Sequence, residues 1–245
     1  MQPKSNTLFH FTRNIENLKL ILSSGFWPRY CLEDVSWIGY DEFNYVAYPM
    51  VCFCEAPLSR ISEHVGFYGS FGLGLTRQWA EKNGLNPVFY TSPGSGMAQS
   101  FKRLNELANK AAKPLNGEIK DLMREYLSFA KPTVGTMLLD GEPVQKLFYQ
   151  ESEWRYVAHH PDVEKYLVQG SFNKEETRIA CNQASFDNCL LKFAPGDIRY
   201  IFVRDDSDIP NIIKFIQDEL DYHPAADLKV LTSRVTSLES IHLDL

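Results

Sequence analysis

The segment FYQESEWRYV, residues Phe148–Val157, predicts a β-strand with one largely aromatic face and one charged face. Side chains alternate along a strand, so Glu151, Glu153 and Arg155 share a face on which the two carboxylates lie about 7 Å apart. If this face lines a cleft, repulsion and desolvation raise the pKa of one carboxylate, while Arg155 keeps the nearer carboxylate, that of Glu153, ionised. The alternative is a solvated row of charges on an edge strand, which contributes little to stability.

The overall composition favours a globular protein with a substantial core. The chain has 245 residues, 44% of them hydrophobic, and a net charge of -6, which disfavours nonspecific binding to nucleic acid. No apolar run reaches the roughly 18 residues of a membrane span, and Met1–Thr7 lacks the apolar centre of a signal peptide. The five cysteines follow no disulfide framework. We therefore predict a cytoplasmic protein with free thiols and no membrane segment.

The first predicted strand is LFHFT, residues Leu8–Thr12. Its alternation sends Phe9 and Phe11 into the core and leaves His10 and Thr12 on the other face. A helix follows directly, with an asparagine to cap its start and a glycine to end it. The polar face of this strand is therefore a candidate for lining a binding site.

The next part of the chain offers two binding alternatives. Phe26–Tyr48 is rich in aromatic residues and predicts either a loop folded over the core or a wall on which a flat ligand stacks. Met50–Glu55 predicts a central strand. A separate alternative is a zinc protein. Its candidate ligands are Cys31, Cys52, Cys54 and His64, whose spacing is irregular.

A pair of helices is predicted within residues 97–130, because apolar side chains recur there at helical spacing on either side of Pro114 and Gly117. Asp140 and Gly141 then predict a turn between two strands, of which the second, Pro143–Val157, carries the glutamates. The remaining predicted elements are strands at Cys189–Phe193, Ile198–Val203 and Lys229–Leu231 and a helix at Ile209–Leu220. Together these patterns predict an α+β fold with a split, mainly antiparallel or mixed sheet and an inserted helical hairpin.

Five motifs in fixed order resemble the AbiGi family of abortive phage-infection proteins: LFHFT, SSGF, MVCFCEAPL, HVGFYGSFGLGL with NPVFY, and ESEWR. The resemblance spans most of the chain and is weakest in the helical insert. The opening is also similar to that of DarT-type DNA ADP-ribosyltransferases. This second resemblance implies one ADP-ribosyltransferase-like domain over residues 1–245, with NAD as substrate and a protein or nucleic acid as acceptor.

The resemblance also implies roles for individual residues. Glu153 becomes the catalytic carboxylate that stabilises an oxocarbenium-like transition state, with Glu151 preceding it and either one able to be the key group. His10 becomes the contact to the NAD ribose. The residues expected to bind NAD are His10, Phe11, Thr12, Tyr68 and Arg155. Under this hypothesis His10, Thr12 and Glu153 line one cleft.

Abortive-infection proteins also include neutralising partners of toxins. The resemblance therefore leaves a second function open, a catalytically inactive binding module or antitoxin that sequesters a partner toxin or a phage component.

Overall fold

A computed structural model describes residues 5–39, 43–139 and 142–244. Its strands are β1 (Thr7–Thr12), β2 (Arg29–Asp34), β3 (Tyr45–Cys54), β4 (Phe71–Thr76), β5 (Asn86–Pro87), β6 (Phe89–Thr91), β7 (Ala130–Pro132), β8 (Gly135–Leu139), β9 (Glu142–Lys146), β10 (Glu153–Val157), β11 (Leu167–Val168), β12 (Ile198–Val203) and β13 (Val235–Ser237). Its α-helices are α1 (Ile15–Ser24), α2 (Ser62–Tyr68), α3 (Arg77–Lys82), α4 (Gly96–Lys110), α5 (Leu115–Ser128), α6 (Gln169–Phe172), α7 (Glu175–Cys189), α8 (Ile209–Glu219), α9 (Ala225–Thr232) and α10 (Leu238–Asp244).

Helices and strands are mixed along the chain, and strand pairing is mainly antiparallel, with parallel pairs at β6/β7 and β12/β13. These features agree with the predicted α+β class. Contacts divide the chain into two compact units. The first comprises Met1–Trp27, Cys52–Leu85 and Leu190–Leu245, and the second Pro28–Val51 and Asn86–Cys189. This division into units does not test the prediction of a single domain over residues 1–245.

In the first unit, β1 pairs antiparallel with β4, which pairs antiparallel with β12. The alternation of β1 places Phe9 and Phe11 in a buried cluster with Phe202, as the sequence predicts. Gly74 and Gly72 lie opposite these two phenylalanines, and a Cβ atom at either glycine would come within 2.9 Å of a phenylalanine ring. The glycines of β4 therefore make room for the aromatic core.

Helix α1 follows β1 with the predicted cap and stop. The Asn14 side chain accepts a hydrogen bond from the Asn17 N–H at 2.8 Å, and Leu18 and Leu22 are buried. Gly25 ends the helix with a φ of 90°, a conformation that other residues rarely adopt. This helix fixes the end of β1 and with it the position of Thr12.

In the second unit, β2 pairs antiparallel with β3, and α7 packs on β2. The Asn182 side chain of α7 accepts a hydrogen bond from the Tyr30 N–H at 2.9 Å, and the Ser185 hydroxyl donates to the Pro28 carbonyl at 2.7 Å. Helices α4 and α5 contact each other and occupy the segment in which the sequence predicts a helical pair. Within the described ranges, no helix is both long and apolar enough to cross a membrane.

The segment that opens with Phe148 differs from its predicted form. Residues 148–151 form a turn of 3-10 helix, Ser152 has a φ of 45°, and the strand begins only at Glu153. The second arm of the preceding hairpin ends at Lys146, and the predicted turn at Asp140 and Gly141 lies outside the described residues. Glu151 and Glu153 therefore do not share one strand face, because a turn separates them.

Two predicted strands near the C-terminus are wrong. Helix α7 extends to Cys189, after which Leu191 forms only an isolated bridge with Phe26. The segment Lys229–Leu231 lies inside α9, and the last strand is β13. Both errors arose where a short apolar run of three to five residues fits either a strand or a helix, so that periodicity alone cannot decide.

Candidate functional site

The backbone of Glu153 is held at the start of β10 by two hydrogen bonds. Its N–H donates to the Tyr90 hydroxyl at 2.9 Å, and its carbonyl accepts from the Val88 N–H at 2.9 Å. The left-handed conformation of Ser152 turns the chain immediately before this point. Both the entry into the strand and the direction of the Glu153 side chain are thereby fixed.

Arg155 lies at the centre of a buried charge network and is itself fully buried. Its Nε donates to Glu153 Oε1 at 2.7 Å, and its Nη2 donates to Glu33 Oε2 at 2.8 Å. Its Nη1 donates to the Ser128 carbonyl at 2.7 Å. A planar guanidinium suits this arrangement, because its donors diverge in fixed directions toward three acceptors. The predicted pairing of Arg155 with Glu153 is confirmed.

Two lysines complete the network around the glutamates. Lys131 Nζ lies 2.9 Å from Glu153 Oε2 and 3.1 Å from Glu151 Oε2, and Lys146 Nζ lies 2.6 Å from Glu151 Oε1. Lys131 also lies 4.4 Å from the centre of the Phe148 ring, over its face. We call this set the charge network; its members are Glu33, Lys131, Lys146, Glu151, Glu153 and Arg155.

The network holds both glutamates in the ionised form. Burial alone would favour protonation of Glu153, but the nearby Arg155 and Lys131 charges outweigh it and lower the pKa of that carboxyl. Burial opposes ionisation of Glu151 as well, and Lys131 together with Lys146 lowers its pKa. The expectation that one of the two carboxylates has a raised pKa is therefore wrong, because each has its own cationic partner.

This arrangement limits what Glu153 can do chemically. Its side chain is only 6% exposed, and each of its carboxylate oxygens accepts from a cation of the same unit. The network contains three carboxylates and three cations, so its charges balance. A carboxylate neutralised in this way offers little net charge to a developing cation nearby. The geometry is that of a closed structural network.

The predicted ribose contact, His10, lies in the first unit. Its Nδ1 lies 2.8 Å from the Cys52 carbonyl, and the Phe26 and Phe53 rings lie 5.1 Å and 5.6 Å from it. Burial lowers the pKa of His10, partly offset by the hydrogen bond to Cys52. The imidazole is therefore neutral near pH 7, and Nδ1 carries the proton that it donates to the carbonyl.

The other residues expected to bind NAD in this unit differ in exposure. Thr12 is buried, and its hydroxyl accepts from the Asn17 side chain at 3.0 Å. Phe11 stacks on Phe202 with ring centres 5.8 Å apart, inside the core. Tyr68 is 37% exposed at the end of α2.

The predicted site residues thus divide between the two units. His10, Phe11, Thr12 and Tyr68 belong to the first unit, and Glu151, Glu153 and Arg155 to the second. The structure brings the last three together in the charge network. A cleft shared by His10, Thr12 and Glu153 stays a prediction.

Sequence reasoning missed the cationic partners Lys131 and Lys146 and the third carboxylate, Glu33. Each lies on a different strand, and none has a local pattern that links it to β10. The one available signal was Lys131 within the stretch from Leu127 to Pro132, in which Ser128 is the only other polar residue, since a lysine in such a place needs a buried partner.

A metal site finds no support. Among the residues that the structure describes, no group of three or more His, Cys, Asp or Glu side chains is arranged to hold a metal ion. Burial raises the pKa of the Cys31 thiol to about 11, with a further contribution from the neighbouring Glu33 carboxylate. Cys31 is therefore a protonated thiol near pH 7.

The second unit also contains a cavity of about 380 Å³ beside α5. Asp121 lies at its wall, paired with Arg124 at 3.2 Å and with Lys165 at 3.5 Å. The Arg124 guanidinium lies 4.4 Å from the centre of the Tyr166 ring. The cavity has a mixed apolar and charged lining formed by Tyr48, Glu118, Asp121, Leu122, Arg124, Glu125, Ser128, Val157, His159, Lys165 and Tyr166.

Comparison with known proteins identifies relatives of this chain. Residues 24–204 match the model of the family described as "Putative abortive phage resistance protein AbiGi, antitoxin". A curated relative from Lactococcus lactis subsp. cremoris, named abortive phage resistance protein AbiGi, is 27% identical over 251 aligned positions. The alignment covers 89% of this chain and 99% of the relative. No solved structure matches this chain.

Proposed function

The chain belongs to the AbiGi family of abortive phage resistance proteins, and we propose that it acts in phage defence as an antitoxin that binds and neutralises a partner toxin. The family description names an antitoxin, and the curated relative is named for phage resistance. An antitoxin of this kind needs a stable binding surface and no catalytic group.

The observation that carries this proposal is the closed charge network. A catalytic glutamate needs an accessible carboxylate whose charge is directed at the substrate. Here the Glu153 carboxylate is buried and directed at Arg155 and Lys131. Such a network is suited to fixing β10 in one conformation and, with it, the surface that the second unit presents to a partner.

Transfer of ADP-ribose from NAD is the competing proposal. It would use His10 and Thr12 to hold the nucleotide and Glu153 to stabilise the transition state. For Glu153 to act in this way, its carboxylate would have to leave Arg155, which it meets at 2.7 Å in a site where an unpaired guanidinium is costly. The binding proposal needs no such rearrangement.

The two proposals predict opposite effects of gene dosage. If the chain is an antitoxin, its depletion from cells that carry its native locus arrests growth, and a plasmid copy restores growth. Suppressor mutations that allow growth after depletion should then fall in the gene of the toxin. If the chain is a toxic transferase, its overproduction arrests growth and its depletion is harmless.

A biochemical measurement separates the same two proposals. Purified wild-type protein is incubated with radiolabelled NAD and lysate from infected or uninfected cells, and the label is followed into protein and nucleic acid. The antitoxin proposal predicts no transfer and no release of nicotinamide. Labelling of any macromolecule that requires this chain would contradict it.

A further inference from the structure

The cavity beside α5 has a buried apolar floor and an exposed wall, and every residue that lines it belongs to the second unit. Tyr48 of β3 and Val157 of β10 form the floor and are 2% and 7% exposed. Along the wall α5 contributes Glu118, Leu122 and Glu125, whose spacing of four and three residues keeps them on one side of the helix. All three are exposed. This cavity, which we call the α5 groove, is therefore accessible to a side chain that projects from another protein.

An apolar floor beside a charged wall suits a long amphipathic side chain. The volume of the α5 groove, about 380 Å³, lies near the lower end of the roughly 300–1,000 Å³ that is usual for ligand cavities. A side chain with an aliphatic stem covers Tyr48 and Val157 with that stem and keeps its polar end at the exposed wall. A short or wholly polar side chain would leave the floor uncovered.

The charges of the wall determine which polar end fits. Arg124 and Lys165 both pair with Asp121, at 3.2 Å and 3.5 Å. Glu118 and Glu125 form no ion pair with any residue in the described ranges. A cation that enters the α5 groove therefore meets two carboxylates without displacing an existing pair, whereas an anion would be repelled by both.

We propose that the α5 groove receives an arginine side chain of the partner toxin. Arginine combines an aliphatic stem with a planar guanidinium, which can stack on the Tyr48 ring and donate to the carboxylates of Glu118 and Glu125. The ammonium group of a lysine is more strongly hydrated and does not stack in this way. The inference rests on the proposed function for the nature of the partner, and on the α5 groove alone for the chemistry of the group that binds.

The charge network holds the α5 groove in shape. Arg155 Nη1 donates to the Ser128 carbonyl at 2.7 Å, and Ser128, the last residue of α5, lines the groove. Val157 of the floor lies two residues beyond Arg155 on the same strand. Arg155 thus fixes the end of α5 against β10, and a groove held in this way loses little conformational freedom when it is filled.

Titration of the purified full chain with N-acetyl-L-arginine methylamide, followed by two-dimensional NMR of the backbone amides, tests the chemistry of the ligand. We expect a Kd of about 1–10 mM, because the probe lacks the other contacts of a partner protein. N-acetyl-L-citrulline methylamide has nearly the same shape without the charge and should bind at least about 10-fold more weakly. Equal binding of the two probes, or no binding at about 50 mM, would overturn the proposal.

Paired substitutions locate the site of binding. Glu118→Gln/Glu125→Gln should weaken binding of the arginine probe by about 3- to 10-fold. Glu175→Gln/Glu176→Gln is the matched control, since these two glutamates are exposed on α7 in the same unit. An equal effect of the two double variants would overturn the proposal. So would binding of the free diamine putrescine at least about 10-fold more tightly than the arginine probe, because the α5 groove would then be a site for a small free amine.

Growth of the depletion strain tests whether the α5 groove is used by the partner. Leu122→Arg places a cation of the chain itself between Glu118 and Glu125, and the 52% exposure of Leu122 leaves room for the longer side chain. Leu107→Arg is the control, since Leu107 is 48% exposed on α4 and does not line the groove. At equal protein levels, with folding checked by circular dichroism, we expect only Leu107→Arg to restore growth.

The results separate this inference from the proposed function. Growth that both variants restore, or that neither restores, would overturn the role of the α5 groove and leave the antitoxin proposal standing, provided that the wild type restores growth. Unimpaired growth after depletion would instead contradict the antitoxin proposal and, with it, the toxin as the source of the arginine.

Discussion

Replacing Arg155 by methionine tests whether the charge network stabilises the second unit. The substitution keeps an apolar stem of similar length but removes the guanidinium, which makes hydrogen bonds of 2.7, 2.8 and 2.7 Å to Glu153, Glu33 and the Ser128 carbonyl. It leaves three buried or half-buried carboxylates with two lysines. Breaking a buried ion pair on one side costs about 3–5 kcal/mol, and we expect the free energy of unfolding to fall by that amount.

Urea unfolding followed by circular dichroism measures this loss, and a double-mutant cycle shows where it comes from. In Arg155→Met/Glu153→Gln the network again balances, with two carboxylates and two cations. We therefore expect the double variant to be more stable than the sum of the single effects predicts, by about 1–3 kcal/mol. A loss below about 1 kcal/mol for Arg155→Met, or strict additivity, would refute the view that these groups form one buried network.

Two further predictions concern the first unit. Burial keeps His10 neutral in the folded protein, so below an unfolded pKa near 6.5 the unfolded chain binds a proton that the folded chain does not. Stability should therefore fall with decreasing pH by up to about 1.4 kcal/mol per unit, and His10→Gln should reduce this slope in urea titrations between about pH 5 and 7. Gly69→Ala should destabilise the protein by about 2 kcal/mol or more in the same unfolding assay, because Gly69 has a φ of 120° and a Cβ atom there would lie 2.2 Å from the Thr12 carbonyl oxygen. Gly66→Ala is the control, because Gly66 lies inside α2 with open space around it. This substitution should be neutral or should stabilise the protein by up to about 1 kcal/mol. Equal effects of the two alanine substitutions on stability would contradict this prediction.

Local patterns predicted the elements whose faces differ most in polarity. The alternation of LFHFT placed Phe9 and Phe11 in the core, and helical spacing located α4 and α5 within two residues of their observed outer limits. The same reasoning failed at residues 148–152, where an alternating pattern runs on through a turn. Only the left-handed Ser152 separates Glu151 from the strand, and serine gives no strong signal for that conformation.

The state of the candidate site depended on contacts distant in sequence. Glu153 is neutralised by Arg155, two residues away, and by Lys131, 22 residues away on another strand. A local sequence pattern includes Arg155 but not Lys131. The sequence therefore predicted a pair of carboxylates with too few cationic partners. Likewise, helical spacing identified Leu122 as part of an apolar stripe, but not that its side chain is exposed.

The central claim is that this AbiGi family member acts by binding and that Glu153 has a structural role. The most direct test is growth of a depletion strain complemented with Glu153→Gln/Lys131→Met, which removes the candidate catalytic carboxylate together with a balancing charge. Immunoblotting confirms that the variant accumulates to the wild-type level. We predict that this variant restores growth as well as the wild type does. Failure of an equally abundant, folded variant to restore growth, when Lys131→Met alone restores it, would show that the Glu153 carboxylate itself is needed for function and would contradict the account.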